Sequence, residues 1–233
     1  MLPSSTTLWT ALIIVVVIVI AVIIYCNYDE SHPDLVYVTS SIDGRPYHVR
    51  DMPDKQAAAD LLARGRQRLM RLCDKLERHY PNDKRVALMV NRFNPDAISE
   101  LSAHADPKYT SYSISKGKKI IFCLRSRDKT QRLISIQTFM FVAIHELAHV
   151  MTVSVGHTEE FWDNMRFLLA NGIEWKLYKP VDYERKPQPY CGLQITSSPL
   201  APGVEARMKY VTYEAGDVIE AEFDGRNEAV VRG

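Results

Sequence analysis

The chain has few cysteines and no excess of positive or negative charge. Both features limit the classes of protein to which it can belong. Its four cysteines among 233 residues lie far apart and form no CxxC pair, which argues against a disulfide framework. Lys and Arg number 29 against 28 Asp and Glu, so the net charge favours no particular partner. We therefore expect Cys26, Cys73, Cys123 and Cys191 to be packing thiols in one core of ordinary size.

A long uncharged stretch lies near the beginning of the chain. Residues 8–26 are mostly Ile and Val, and these 19 positions match the length that spans a bilayer. Trp9 and Tyr25 near its two ends fit the aromatic belts of a spanning helix. A cleaved signal peptide is the alternative, although no basic residue precedes the run and no small-x-small site closes it. The sequence thus predicts a transmembrane helix and a single-pass membrane protein.

The side of the membrane is only weakly indicated. The first cations after the apolar run are Arg45 and Arg50, and the positive-inside rule counts them toward a cytosolic position for the rest of the chain. No Asn-x-Ser/Thr sequon occurs anywhere in the sequence, which points the same way because a lumenal domain of this length often carries one.

The residues from His145 to His149 spell HExxH inside an apolar stretch. Apolar positions recur there at three- and four-residue steps, at Phe141, Ile144, Ala148 and Met151. On such a helix the two imidazoles lie on one face and can hold one zinc ion. Glu146 then flanks the metal, where it can take a proton from zinc-bound water and pass it to a leaving amine. The motif predicts a zinc peptidase; hydrogen-bonded histidines in an ordinary core helix are the alternative.

A catalytic zinc site usually has three protein ligands, so a third ligand is expected downstream. His157 follows His149 by eight residues and comes just after Gly156, which can end the helix and let the chain turn back. Glu174 competes as the glutamate of a second helix, although it lies where that helix is expected to end. Glu160 and Asp163 are weaker candidates.

The run HELAH followed by Gly156-His157-Thr-Glu-Glu-Phe-Trp162 resembles the WLM family of zinc metalloproteases, relatives of the SprT-like proteases that cut proteins crosslinked to DNA. The resemblance implies that His145, His149 and His157 are zinc ligands and that Glu146 is the base. Seven residues separate His149 from His157, about two more than in that family. The chain is most similar to WLM-like proteins of large double-stranded DNA viruses, in SVGHTEEFW, in residues 42–50 and in Tyr190-Cys-Gly192.

The elements around the motif predict an α+β, zincin-like metalloprotease domain behind the N-terminal transmembrane helix. After a tail at 1–7 and the helix at 8–26, residues 27–52 form a juxtamembrane segment with a hairpin signal at Asp43-Gly44. The catalytic domain is expected at 53–180, and a proline-rich strap with a C-terminal hairpin at 181–233.

Two features within these ranges suggest binding surfaces. A helix expected near residues 53–80 carries a basic stripe formed by Arg64, Arg68, Arg71, Lys75 and Arg78. It could contact a membrane surface or nucleic acid, but a solvated face is the simpler interpretation, and a nucleic-acid partner has no support from the sequence. Residues 119–124 are a candidate edge strand for an extended protein or peptide substrate; an interior strand is the alternative.

The oxyanion donor and the functional class are left with alternatives. Tyr178, Tyr183 and Tyr190 are candidate donors, and nothing in the sequence distinguishes them. A rival class is a membrane-anchored structural or virion protein in which a non-catalytic zinc ion stabilises the fold. Such closed sites use four protein ligands, usually including Cys, and that account gives Glu146 no role.

Overall fold

A computed structural model describes residues 5–28, 32–200, 208–211 and 220–222. Within these ranges the chain forms five α-helices and nine β-strands, a mixed α/β architecture.

The first helix, α1, covers Ser5–Tyr28. The side chains of residues 12–22 are exposed. No helix in the described part of the chain is both long and apolar enough to cross a membrane. On this finding the predicted transmembrane helix at 8–26 is wrong, and so are the fold class that included it and the single-pass localisation.

A five-stranded sheet forms one layer of the fold. The predicted hairpin at Asp43-Gly44 is confirmed, with β1 at Leu35–Thr39 paired antiparallel to β2 at Pro46–Arg50. The other strands are β3 at Ile98–Glu100, β4 at Tyr112–Ile114 and β5 at Lys119–Phe122, and the spatial order is β1-β2-β3-β5-β4. Strand β3 is parallel to both β2 and β5, whereas β4 is antiparallel to β5.

The order of the strands corrects the predicted substrate edge at residues 119–124. Strand β5 lies between β3 and β4, and Ile120 and Ile121, which point to opposite faces, are both buried. A strand buried on both faces belongs in the interior of a sheet. The edge of the described sheet on this side is β4.

Four further helices complete the fold. They are α2 at Lys55–His79, α3 at Lys84–Arg92, α4 at Ile136–Met151 and α5 at Glu159–Glu174. Helices α2 and α4 contact the sheet, whereas α3 and α5 pack on α2 and α4. Helix α2 agrees with the helix predicted near 53–80. Helix α4, which carries the HExxH motif, contacts α2, α3, α5 and β4. Twelve of its sixteen residues are buried, so it is the central helix of the core.

Helices α2 and α4 approach closely at Gly65. A Cβ added at Gly65 would lie 1.9 Å from Cε1 of Phe139. Phe139 is fully buried and also packs against Phe122 of β5, with ring centroids 4.8 Å apart. Because Phe139 has no free volume to move into, only glycine fits at this point of α2.

The C-terminal part forms a second, antiparallel sheet. Strands β6 at Gln188–Tyr190, β7 at Leu193–Ile195, β8 at Met208–Val211 and β9 at Glu220–Glu222 pair in that order. The predicted C-terminal hairpin corresponds to β8 and β9 and is confirmed. Cys191 and Gly192 form the turn between β6 and β7, both with positive φ.

A disulfide joins the two sheets and corrects the prediction that all four cysteines are packing thiols. Cys123, directly after β5, is bonded to Cys191, 68 residues further along the chain. Both residues are buried. No CxxC spacing indicates this pair, because the two cysteines meet only through the tertiary fold. Cys73 is a buried free thiol, as predicted, and the side chain of Cys26 lies outside the described residues.

We expect Gly65→Ala to lower the free energy of unfolding by about 2–3 kcal/mol, because the new methyl group overlaps the Phe139 ring. Gly172→Ala in α5 is the matched control. Its Cβ would lie 3.5 Å from Cδ1 of Ile144, an ordinary contact, and alanine is the better helix former. Urea denaturation of the two variants measures the difference; equal stabilities would contradict the close packing.

Reduction of the disulfide should destabilise the protein by about 4 kcal/mol, the loop-closure value for a ring of this length. The measurement is thermal unfolding with and without dithiothreitol. The Cys123→Ala/Cys191→Ala double variant is the control: it should unfold at the same temperature in both conditions. Wild-type protein that is insensitive to reductant would argue against the bond.

Candidate metal centre and active site

Helix α4 begins at a defined cap and presents two histidines from one face. The Ser135 side chain caps its first turn by accepting a hydrogen bond from the Thr138 backbone N–H. The helix is buried through most of its length, yet His145 and His149 are only partly buried. Since residues four apart lie one above the other on a helix, the two imidazoles face the same region.

His157 joins these two residues to complete a group of three histidines. Nε2 of His145 lies 3.2 Å from Nε2 of His149 and 3.1 Å from Nε2 of His157. Nitrogens bound to one tetrahedral zinc ion at 2.0–2.1 Å are about 3.3–3.4 Å apart. Both distances are close to the spacing that a shared ion requires, and a ligand nitrogen from each of the three rings lies within 4.8 Å of the others. In the described residues this histidine group is the one that could hold a metal.

The three imidazoles are also in the protonation state that metal binding needs. Burial lowers the pKa of His149 to about 3 and that of His157 to about 4, and it holds the pKa of His145 well below its usual value. All three rings are therefore neutral near pH 7, each with a nitrogen lone pair available. Nδ1 of His145 is buried and makes no hydrogen bond to the described residues. A metal would bind the same ring through Nε2, its second nitrogen.

Aromatic rings support the histidines from below. The Phe161 ring centroid lies 4.9 Å from that of His145, 4.3 Å from that of His149 and 4.7 Å from that of His157. Trp162 stacks on His157 at 5.4 Å. Both aromatic residues are buried in the first turn of α5.

Glu146 lies on α4 between the two motif histidines and is 4% exposed. Burial raises the pKa of its carboxyl group to about 8, because removal from water disfavours the ionised form. The carboxyl is therefore mostly protonated near pH 7 when no cation is bound beside it.

The chain reaches His157 through a loop that departs from the predicted path. Helix α4 ends at Met151, two residues after His149, rather than at Gly156. Residues 152–157, which we call the ligand loop, then cross to the start of α5. Gly156 has φ +84° directly before His157, so it supplies the left-handed turn into the ligand rather than the helix end. The extra length relative to the WLM pattern is therefore taken up by a different turn and not by a longer helix.

Side chains from three other elements hold the ligand loop. Glu160 of α5 accepts hydrogen bonds from the backbone N–H groups of Val153 and Ser154, at 2.9 and 3.1 Å. Lys116 donates to the carbonyl oxygens of Thr152 and Ser154, at 3.1 and 2.7 Å.

Arg92 of α3 adds contacts to the end of α4. It donates to the carbonyl oxygens of Val150 and Thr152, both at 3.2 Å. Sequence reasoning missed Arg92 and Lys116, which lie 58 and 38 residues from the carbonyl groups that they contact. It considered Glu160 only as a weaker candidate for the metal, whereas this side chain binds the loop.

The other candidate ligands lie elsewhere. Glu174 is the exposed last residue of α5. Asp163 pairs with Arg166 on the surface of the same helix, at 2.6 Å. No described carboxylate belongs to the histidine group.

The three tyrosines considered as oxyanion donors differ in the partners of their hydroxyl groups. The hydroxyl groups of Tyr178 and Tyr183 bond to each other at 3.2 Å, in the core against Phe141. Tyr190 is also buried, but its hydroxyl bonds to Ser111 beside β4. Burial raises the pKa of Tyr190, and the charge of Glu146 adds to this effect.

Strand β4 forms one border of the site, because the turn that follows it rests on α4. A Cβ added at Gly117 would lie 2.8 Å from a methyl group of Val150, the residue after His149. Gly117 also has φ +104°, so both its conformation and its lack of a side chain permit this contact. The β4 edge is thereby fixed beside the histidine group.

Comparisons with known sequences reveal relatives but no matching protein-family model. The chain is 36% identical over 191 residues to the uncharacterized protein R325 of Acanthamoeba polyphaga mimivirus, which covers 80% of this chain and 96% of the relative. It is 39% identical over 85 residues to the uncharacterized protein 042R of Invertebrate iridescent virus 3, covering 36% of this chain and 50% of that protein. It is 28% identical over 116 residues to protein 136R of Invertebrate iridescent virus 6, covering 48% and 61%.

Among solved structures, Wss1 from Saccharomyces cerevisiae has a TM-score of 0.41 and 21% sequence identity, covering 55% of this chain and 88% of that one. These values are too low to carry an argument, so the resemblance to WLM proteases continues to depend on the motif residues. The predicted resemblance to viral proteins is confirmed by the three relatives above. Since the mimivirus protein is 36% identical and matched over nearly all of its length, the chain belongs to the family of mimivirus protein R325.

Proposed function

We propose that this protein is a zinc-dependent metallopeptidase of the WLM type that hydrolyses peptide bonds in protein substrates. The observation that supports it most is the convergence of three neutral imidazole nitrogens, from His145, His149 and His157, beside a buried carboxyl group. Three protein ligands leave one position open, which is the pattern of catalytic zinc; structural sites are closed by a fourth protein ligand. We place the catalytic unit within residues 53–180.

The chemistry divides between the ion and the side chains. A zinc ion bound by the three histidines would polarise the scissile carbonyl group and make water acidic enough to react near pH 7. Glu146 is the group positioned to accept the proton from water and to deliver it to the leaving amine. A cation at the histidine group favours the ionised carboxylate, which opposes the effect of burial on the pKa of Glu146.

We infer that the substrate binds as an extended strand along β4. One side of β4 pairs with β5, and the described residues supply no strand on its other side. An extended polypeptide can add to such an edge through main-chain hydrogen bonds, which give affinity with little sequence preference. The contact of Gly117 with Val150 supports this path, because it holds the edge against the helix that carries Glu146.

Glu146→Gln should lower the rate of casein cleavage by at least about a hundredfold, since the amide cannot accept a proton. Its zinc content and melting temperature should stay at wild-type values or rise, because the neutral amide is cheaper to bury than a carboxylate. Glu159→Gln, an exposed change in the same region, is the control and should keep full activity. Undiminished cleavage by the Glu146 variant would favour the structural-zinc alternative or another base.

His157→Ala should weaken zinc binding by at least about a hundredfold, because two histidines and water hold the ion poorly. Zinc affinity is measured by competition with a chromogenic chelator. Both His104→Ala, which removes an exposed histidine, and Glu174→Ala should bind zinc as the wild type does. If Glu174→Ala loses zinc and His157→Ala retains it, the ligand assignment is wrong.

A further inference from the structure

The ligand loop exposes two apolar side chains next to the candidate metal centre. Val153 is 66% exposed and Val155 is 84% exposed. Single exposed apolar residues are common on protein surfaces and by themselves need no explanation. These two lie between His149 and His157, in the segment that is longer than in the WLM pattern.

The ligand loop is also held in place with its two valines exposed. Glu160 binds the N–H groups of Val153 and Ser154, and Lys116 binds the carbonyl groups on either side of Val153. The Ser154 and Thr158 hydroxyl groups bond to each other at 2.7 Å. The backbone around Val153 is thus held by two side chains from outside the loop, Glu160 and Lys116, so its exposure is a built feature of the loop.

The ligand loop is joined to the turn that follows β4 by the hydrogen bonds of Lys116. Lys116, which binds the loop, lies in the turn directly after Ile114, and Ile114 is 41% exposed at the end of β4. Before the other end of the strand, Tyr109 is 45% exposed and packs on Tyr112, with ring centroids 5.4 Å apart. Exposed apolar groups therefore occur before β4, at its end, and on the loop held against its turn. We call Tyr109, Ile114, Val153 and Val155 the apolar rim.

We propose that the apolar rim binds the apolar side chains of an extended polypeptide substrate, so that the protein prefers unfolded segments rich in Leu, Phe and Val. This inference rests on the proposed peptidase function and on β4 as its substrate edge. Side chains of an added strand that lie opposite those of β4 come within contact distance. Residues of the substrate beyond Ile114 would then meet Val153 and Val155, and their burial would add affinity that main-chain pairing alone does not supply.

The test uses the full-length chain and the variant Val153→Ser/Val155→Ser, with Ile42→Ser as the matched control. Ile42 is a β-branched residue 40% exposed between β1 and β2, at the opposite edge of the sheet. Binding of a fluorescein-labelled peptide rich in Leu, Phe and Val is measured by anisotropy with metal-free protein. A Ser- and Ala-rich peptide of the same length is the comparison. With zinc-loaded protein, kcat/KM is measured for the same two peptides.

The double variant should bind and cleave the apolar peptide about tenfold less well, because each lost apolar contact discriminates at about that level. Its values for the Ser- and Ala-rich peptide, its zinc content and its melting temperature should match those of the wild type. Ile42→Ser should match the wild type throughout.

The outcomes separate this inference from the proposed function. A wild-type protein that binds the apolar peptide through the valines but cleaves neither peptide would contradict the peptidase function and support the binding role of the apolar rim. A wild type that cleaves both peptides, with the double variant unchanged in binding and in kcat/KM, would contradict that binding role. Equal wild-type affinity for the two peptides would overturn it as well.

Discussion

The burial of helix α4 is the constraint on which the rest of the structure depends. A helix that is apolar nearly all round is stable in water only when other elements cover it, and here α2, α3, α5 and β4 do so. Its polar residues, His145, Glu146 and His149, are consequently carried into a packed interior. The absence of a side chain at Gly65 and at Gly117 lets α2 and the β4 turn approach this helix, so the geometry of the histidine group is set by core packing.

That burial creates an electrostatic problem that one cation would resolve. Three imidazoles are kept neutral and one carboxyl group is made hard to ionise, all by removal from water. Removing either kind of group from water without a partner costs free energy. A dication at the histidine nitrogens would satisfy the lone pairs and favour the carboxylate together, which links the stability of the interior to the chemistry that we propose for it.

Periodic and local features were predictable from the sequence, whereas contacts between distant segments were not. The spacing of His145 and His149 and the apolar steps around them specify a helix with two histidines on one face, because helix geometry is local. The Asp43-Gly44 hairpin follows from turn chemistry in the same way. Lys116 and Arg92, which hold the ligand loop, carry no local signal, since nothing near them in sequence shows which carbonyl groups they meet.

The errors have the same origin. The prediction of a substrate edge at residues 119–124 is wrong because the order of strands in a sheet is a tertiary property. In the folded sheet β4 pairs with the outer side of β5, so these residues are not at the edge. Cys123 and Cys191 were treated as thiols because only the fold brings them together. The membrane span at residues 8–26 was predicted from the composition and length of the apolar run. Among the described residues, no helix is both long and apolar enough to cross a membrane.

The disulfide also makes a covalent ring of the chain from Cys123 to Cys191. His145, Glu146, His149 and His157 all lie inside this ring. A backbone break in the ligand loop would therefore leave the pieces that bear His149 and His157 linked through sulfur. The two parts of the histidine group would stay joined by a covalent bond even after such a break.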